Sequence, residues 1–107
     1  MTYIKINDTL YPASIHGYAK DKNWNDRESK AITLEMSHAD AMALFADDLD
    51  WAIVYEDGET TEVYDNSEFS VAGSVTDNRN GTVTVKMGKI TDGEALAELL
   101  EVLKDEA

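Results

Sequence analysis

Apart from carboxylates, few side chains in this sequence can do chemistry. Of 107 residues, 22 are Asp or Glu, nine are Lys or Arg, two are His and none is Cys. Without a thiol there is no disulfide, no thiolate nucleophile and no zinc-thiolate site. His16 and His38 are the types that share a metal or pass a proton, but their spacing matches no ligand motif. They are expected at a strand end and at a helix start. Asp47-Asp48-Leu49-Asp50 offers the hard oxygen ligands that calcium takes. The run lacks the further ligands and the glycine of a calcium loop, so a solvated acidic turn is expected. The pairs Glu56/Glu62 and Asp65/Glu68 have the composition of a glycosidase pair, yet nothing in the sequence gives either a pocket. There is no phosphate-cradling glycine loop and no nucleophile elbow. Gly58, Gly73, Gly81 and Gly88 are expected to serve turns, bulges and close approaches. The reading is a non-enzymatic binding domain with no cofactor and no metal.

The net charge of −13 argues against direct contact with nucleic acid or an anionic membrane, and fits a basic protein partner. Its distribution says more. Between Lys30 and Arg79 there is no Lys or Arg, while twelve carboxylates occur. From these come the candidate partner-binding residues Asp47, Asp48, Asp50, Glu56, Asp57, Glu59 and Glu62. Trp24, a large aromatic in a polar segment, joins them as a hot-spot anchor, with folding back to pin its own loop as the equal alternative. Trp51 lies in a strand pattern and is expected in the core.

These residues must be positioned by short elements. Tyr3–Ile6 and Leu10–Ile15 read as a hairpin about Asn7-Asp8-Thr9. Pro12 predicts an edge position or a bulge for the second strand. Gly17–Ser29 reads as a long polar loop. Lys30–Met36 alternates as a half-buried strand, and Ser37 with Asp40 starts a short helix that ends near Asp47-Asp48. Trp51–Tyr55 and Thr60–Asp65 flank the hairpin signal Asp57-Gly58. Phe69–Thr76 and Thr82–Met87 flank Asn78-Arg79-Asn80-Gly81. Thr91 and Glu94 open a C-terminal helix with Leu96, Leu99, Leu100 and Leu103 on one face and Glu94, Glu98 and Glu101 toward solvent. The expected fold is one α+β domain over 1–107: about seven short, mostly antiparallel strands in a strongly bent sheet or small barrel, a short middle helix, and the C-terminal amphipathic helix packed on the sheet.

The blocks Asn23–Lys30, Tyr64–Phe69 and Val71–Lys89 resemble small proteins encoded by tailed phages and prophages of Firmicutes. The resemblance implies a phage origin and brings no residue roles with it. Two functions follow. The first is a virion- or tail-associated or assembly protein that works by protein–protein binding. The second is an acidic nucleic-acid mimic that inhibits a host DNA- or RNA-binding defence protein, such as a CRISPR nuclease. The start Met1-Thr2-Tyr3-Ile4-Lys5-Ile6 carries no signal-peptide pattern, and no apolar run approaches the ~20 residues of a membrane span. The expected place is the host cytoplasm or the virion.

Overall fold

The computed structural model describes residues 1–105, with the side chains of 98, 99 and 101–105 outside the description. Nine elements follow in order: β1 (Thr2–Ile6), β2 (Thr9–Asp21), β3 (Arg27–Glu35), α1 (His38–Leu44), β4 (Ala52–Asp57), β5 (Thr60–Asp65), β6 (Val71–Asp77), β7 (Thr82–Gly88) and α2 (Asp92–Asp105). The strands form one antiparallel sheet of order β5-β4-β1-β2-β3-β7-β6. β5 and β6 are outermost and do not pair, so the sheet is open and not closed into a barrel.

Local chemistry explains the turns. Asn7 and Asp8 both take positive φ, as a two-residue hairpin turn requires. Gly58 and Gly81 occupy the same left-handed region in the β4–β5 and β6–β7 hairpins. Period-two alternation sets the faces. Ile4 and Ile6 on β1, Ile32 and Leu34 on β3, Ile53 on β4, and Val83, Val85 and Met87 on β7 are all buried. With Ala41, Phe45, Trp51 and Phe69 they form one core cluster, so both halves of the sheet share a single apolar face. Trp51 is core, as expected, and its indole N–H donates to the carbonyl of Phe69 at 3.1 Å.

Several boundaries differ from the sequence reading. The expected loop Gly17–Ser29 is mostly strand. β2 runs on to Asp21 and β3 begins at Arg27, with Asn25 and Asp26 at positive φ in the turn. β2 is interior in the sheet order, yet beyond Pro12 it pairs only with β3 and carries a register shift between Tyr18 and Asp21, so the edge-or-bulge expectation applies to its second half. Pro12 stands at its last rung with β1, opposite Tyr3, where a missing N–H interrupts nothing further. β6 begins at Val71, leaving Phe69 in the preceding connection. A register shift between Ala72 and Val75 breaks the expected alternation and turns both of those side chains to the core.

α1 has Ser37 as N-cap, its hydroxyl accepting from the Asp40 N–H. It ends at Leu44, earlier than expected, because Phe45 is extended. α2 starts as expected: Thr91 Oγ1 accepts from the Glu94 N–H at 3.2 Å, and Glu94 Oε1 accepts from the Thr91 N–H at 2.9 Å. The expected packing of its leucines on the sheet fails at Leu96 and Leu100, each 56% exposed. Leu99 and Leu103, with Glu98 and Glu101, lie outside the described side chains.

Candidate functional site

The acidic residues singled out from sequence separate into two groups. Asp50, Glu56, Asp57, Glu59 and Glu62 follow the β4–β5 hairpin from its foot to its tip and down β5. Asp47 and Asp48 lie across the open side of the sheet, in a hollow of about 240 Å³ with Ser70, Val71, Ile90 and Glu94. The twelve carboxylates therefore do not form one ridge. Nor do the hairpin's acids share a face. Glu62 pairs with Tyr55 and Glu56 with Thr61, successive rungs whose side chains point to opposite sides.

Asp47 through its side chain and Asp48 through its backbone are tied to the start of β6, while both residues remain exposed. Asp47 Oδ1 accepts from the backbone N–H of Ala72 at 2.8 Å, and the Asp48 N–H donates to the carbonyl of Ser70 at 2.8 Å. Asp48 reaches that position with a positive φ of 63°, which an aspartate tolerates better than most residues. His38 Nε2 lies 3.2 Å from the carbonyl of Val75. Side chain and loop together thus take up backbone groups along the outer side of β6. Asp47 itself stays exposed, so this bond ties it to β6 and leaves its expected partner role open to test.

The opposite edge is built differently. All six residues of β5 are exposed. Val63 is 58% exposed and Tyr64 51%, and Tyr64 makes an edge-to-face pair with Tyr55 at 5.7 Å between centroids. The Tyr64 hydroxyl donates to Glu62 Oε2 at 2.7 Å, and that carboxylate pushes its pKa up. Beneath the tyrosines a hollow of about 500 Å³ is lined by Lys30, Ile53, Asn66 and Glu68. There Lys30 Nζ donates to Asn66 Oδ1 and lies over the Phe69 ring; burial lowers its pKa. Among the described residues no strand, helix or side chain seals the outer side of β5.

Trp24 is folded back. Its ring lies against Gly73 and Gly88 so closely that a Cβ at either glycine would come within 3 Å of it. It also stacks with the Arg27 guanidinium, 4.6 Å from the ring centroid. Of the two expected roles, the loop pin is the one the geometry holds.

Arg27 is itself 5% exposed and grips Glu94 through two bonds of 2.7 and 3.0 Å, while Nη1 also donates to the carbonyl of Lys89 at 2.8 Å. The arginine, with the Thr91 N–H, lowers the Glu94 pKa to about 2. Glu94, expected to face solvent, thus tethers α2. Nearby, buried Asp21 accepts from Lys86 at 2.7 Å, from the Asn23 N–H at 3.0 Å and from Ser29 Oγ at 3.3 Å. Lys86 foremost lowers its pKa, burial opposing. Sequence reasoning missed the Arg27–Glu94 and Asp21–Lys86 pairs because their partners lie 67 and 65 residues apart.

The edge position that Pro12 predicts for its strand holds past Pro12 itself. Beyond Pro12, β2 pairs only with β3, and its other side has no strand beside it among the described residues. From Ser14 to Lys20 every residue except half-buried Ile15 is exposed. Thr9–Lys20 contains no carboxylate, which was the legible signal. His16 sits here, edge-to-face with Tyr18 at 4.7 Å, and His38 is on α1.

Asp65 accepts from the N–H and hydroxyl of Ser67, which lower its pKa. Glu68 lies 3.6 Å from Lys89, which also holds Glu28 at 3.1 Å. Among the described residues no group of three or more His, Asp or Glu gathers to hold a metal ion, and no helix is long and apolar enough to cross a membrane. The chain matches no family model, no curated protein and no solved structure.

Proposed function

We propose that this chain is a non-enzymatic protein-binding domain of a tailed phage or prophage, a virion- or tail-associated or assembly protein that docks through the β5 edge. The observation that carries this reading is the unsealed β5 strand in a fold that seals β6. Unpaired backbone groups on an exposed strand recruit another strand. Val63, Tyr64 and Tyr55 supply apolar area beside them, and the flanking carboxylates select against acidic partners. Mass spectrometry of purified particles is the test. The chain is expected in particles or bound to an assembly intermediate; its absence from both, with normal assembly when its gene is deleted, overturns the reading.

The nucleic-acid mimic is the second reading. It draws on the hairpin string Asp50, Glu56, Asp57, Glu59 and Glu62, which no cation interrupts in sequence. The division of these acids between two faces weighs against it, since a mimic needs a continuous charged track of one charge per ~1.7 Å. Reversing Asp50, Glu56 and Asp57, which lie outside β5, to lysine separates the two. A mimic loses its basic partner and shows steep salt dependence, whereas strand docking depends chiefly on β5 itself.

A further inference from the structure

Besides the outer side of β6, which the Asp47–Asp48 loop and His38 partly cover, the described residues leave two strand sides without a neighbouring strand, of opposite character. β5 spans six residues and is flanked by Glu59, Glu62 and Asp65. The free side of β2, Ser14–Lys20, carries His16 and Lys20, with Lys22 just beyond. At ~3.3 Å per residue both run for roughly 20 Å, so one can pair with the other along its length. Where β1 leaves β2, a groove of about 900 Å³ is lined by Met1, Pro12 and Ser14 together with Thr33 and Glu35 of β3 and Thr82 of β7, so it crosses the sheet face beside the start of the free β2 side. Two-fold antiparallel self-pairing of β5 centred on Glu62 would set Glu62 against its own copy and Asp65 against Glu59. Pairing β5 with β2 sets them against the one long strand side that has no carboxylate.

Resting on the reading that β5 is the docking edge, we propose that its occupant is a second copy of this chain, which presents the free side of β2. The contact is heterologous: each copy keeps one free β5 and one free β2 side. Subunits therefore add head to tail and close into a ring or continue as a filament, depending on the rotation per step. With a net charge of −13 per copy, long-range repulsion opposes assembly at very low salt, and screening at ~0.15 M, where the Debye length is ~8 Å, relieves it.

Because the chain has no cysteine, single-cysteine variants give a direct test. Val63→Cys and His16→Cys change exposed side chains, and circular dichroism of each full-length variant checks that it is folded. With a short bis-maleimide at ~0.15 M salt, the mixture of the two variants is expected to yield about tenfold more cross-linked dimer than either alone. Glu62→Lys in the Val63→Cys chain should reduce that yield about tenfold, and pairing it with Lys20→Glu in the His16→Cys chain should restore it. Dimers of Val63→Cys alone overturn the proposal in favour of two-fold β5 pairing. No cross-linking above the level of either variant alone overturns it outright. In that case, recovery of the chain from particles still upholds the docking role of β5, whereas cross-linking by a chain absent from particles and intermediates upholds self-assembly and removes the virion role.

Discussion

The two outermost strands of the sheet meet their surroundings in opposite ways. On β6 the Ala72 N–H is taken by Asp47, the preceding carbonyl of Ser70 by the Asp48 N–H, and the Val75 carbonyl faces His38. On β5 no such cover is present among the described residues, although exposed Val63 and Tyr64 make it the more adhesive surface. Both regions are acidic. What separates them is whether a carboxylate is turned inward to a backbone donor or left beside an unpaired strand. Counting negative charges does not reveal that; the loop geometry around Asp47 and Asp48 decides it.

The largest expected effect comes from the residue joining the two edges. Phe69 lies in the connection from β5 to β6, 2% exposed and capped by Lys30 and Lys89. Phe69→Ala should cost about 3–5 kcal/mol in urea unfolding; a loss under about 1 kcal/mol would show that the edges are positioned independently of it. Unsealing β6 with Asp47→Ala should cost about 1 kcal/mol and speed hydrogen exchange at the Ala72 amide. Unchanged exchange there would erase the contrast between the edges.

Acid probes the α2 tether beside the sealed edge. Glu94 is depressed from its ordinary 4.5 to about 2, so its contribution is fully present above pH 4.5 and is lost as pH falls through about 2. Unfolding measured over that range in wild type and Arg27→Met should show a steeper acid loss in wild type; parallel curves would remove the tether. The smallest effect on stability belongs to Val63→Lys, within about 0.5 kcal/mol, because the side chain is already in water. The same change should abolish docking at β5, and retained binding would move the docking surface elsewhere.

The local grammar of this chain was readable. Asn7-Asp8, Gly58 and Gly81 announced their turns, Ser37 and the Thr91/Glu94 box their helix starts, and Trp51 its burial. These depend on residues within a few positions of one another. The order of strands across the sheet depends on pairings such as Tyr3 with Val54 and Ser29 with Gly88, which no local pattern encodes. The extension of β2 was hidden for a different reason. Both faces of the strand are exposed from His16 to Lys20, so no alternation of polarity is needed and Gly17–Lys20 looks like loop. Trp24 could be read either way until Gly73 and Gly88 were seen beneath its ring. The candidate site was therefore legible in composition, as an acidic middle segment, but its division between a sealed and an open edge was not.

The change of neighbours along β2 has a consequence for how the chain folds. β2 closes one short hairpin with β1 and another with β3, and both can form early because their loops are small. The distant pairings of β1 with β4 and of β3 with β7 must then be added on opposite sides. Either side can assemble first, yet each is templated on the same strand. Damage near Pro12 and Ala13, where β2 changes partners, should therefore slow both routes at once, making this short stretch a kinetic bottleneck shared by halves that are otherwise built from separate parts of the chain.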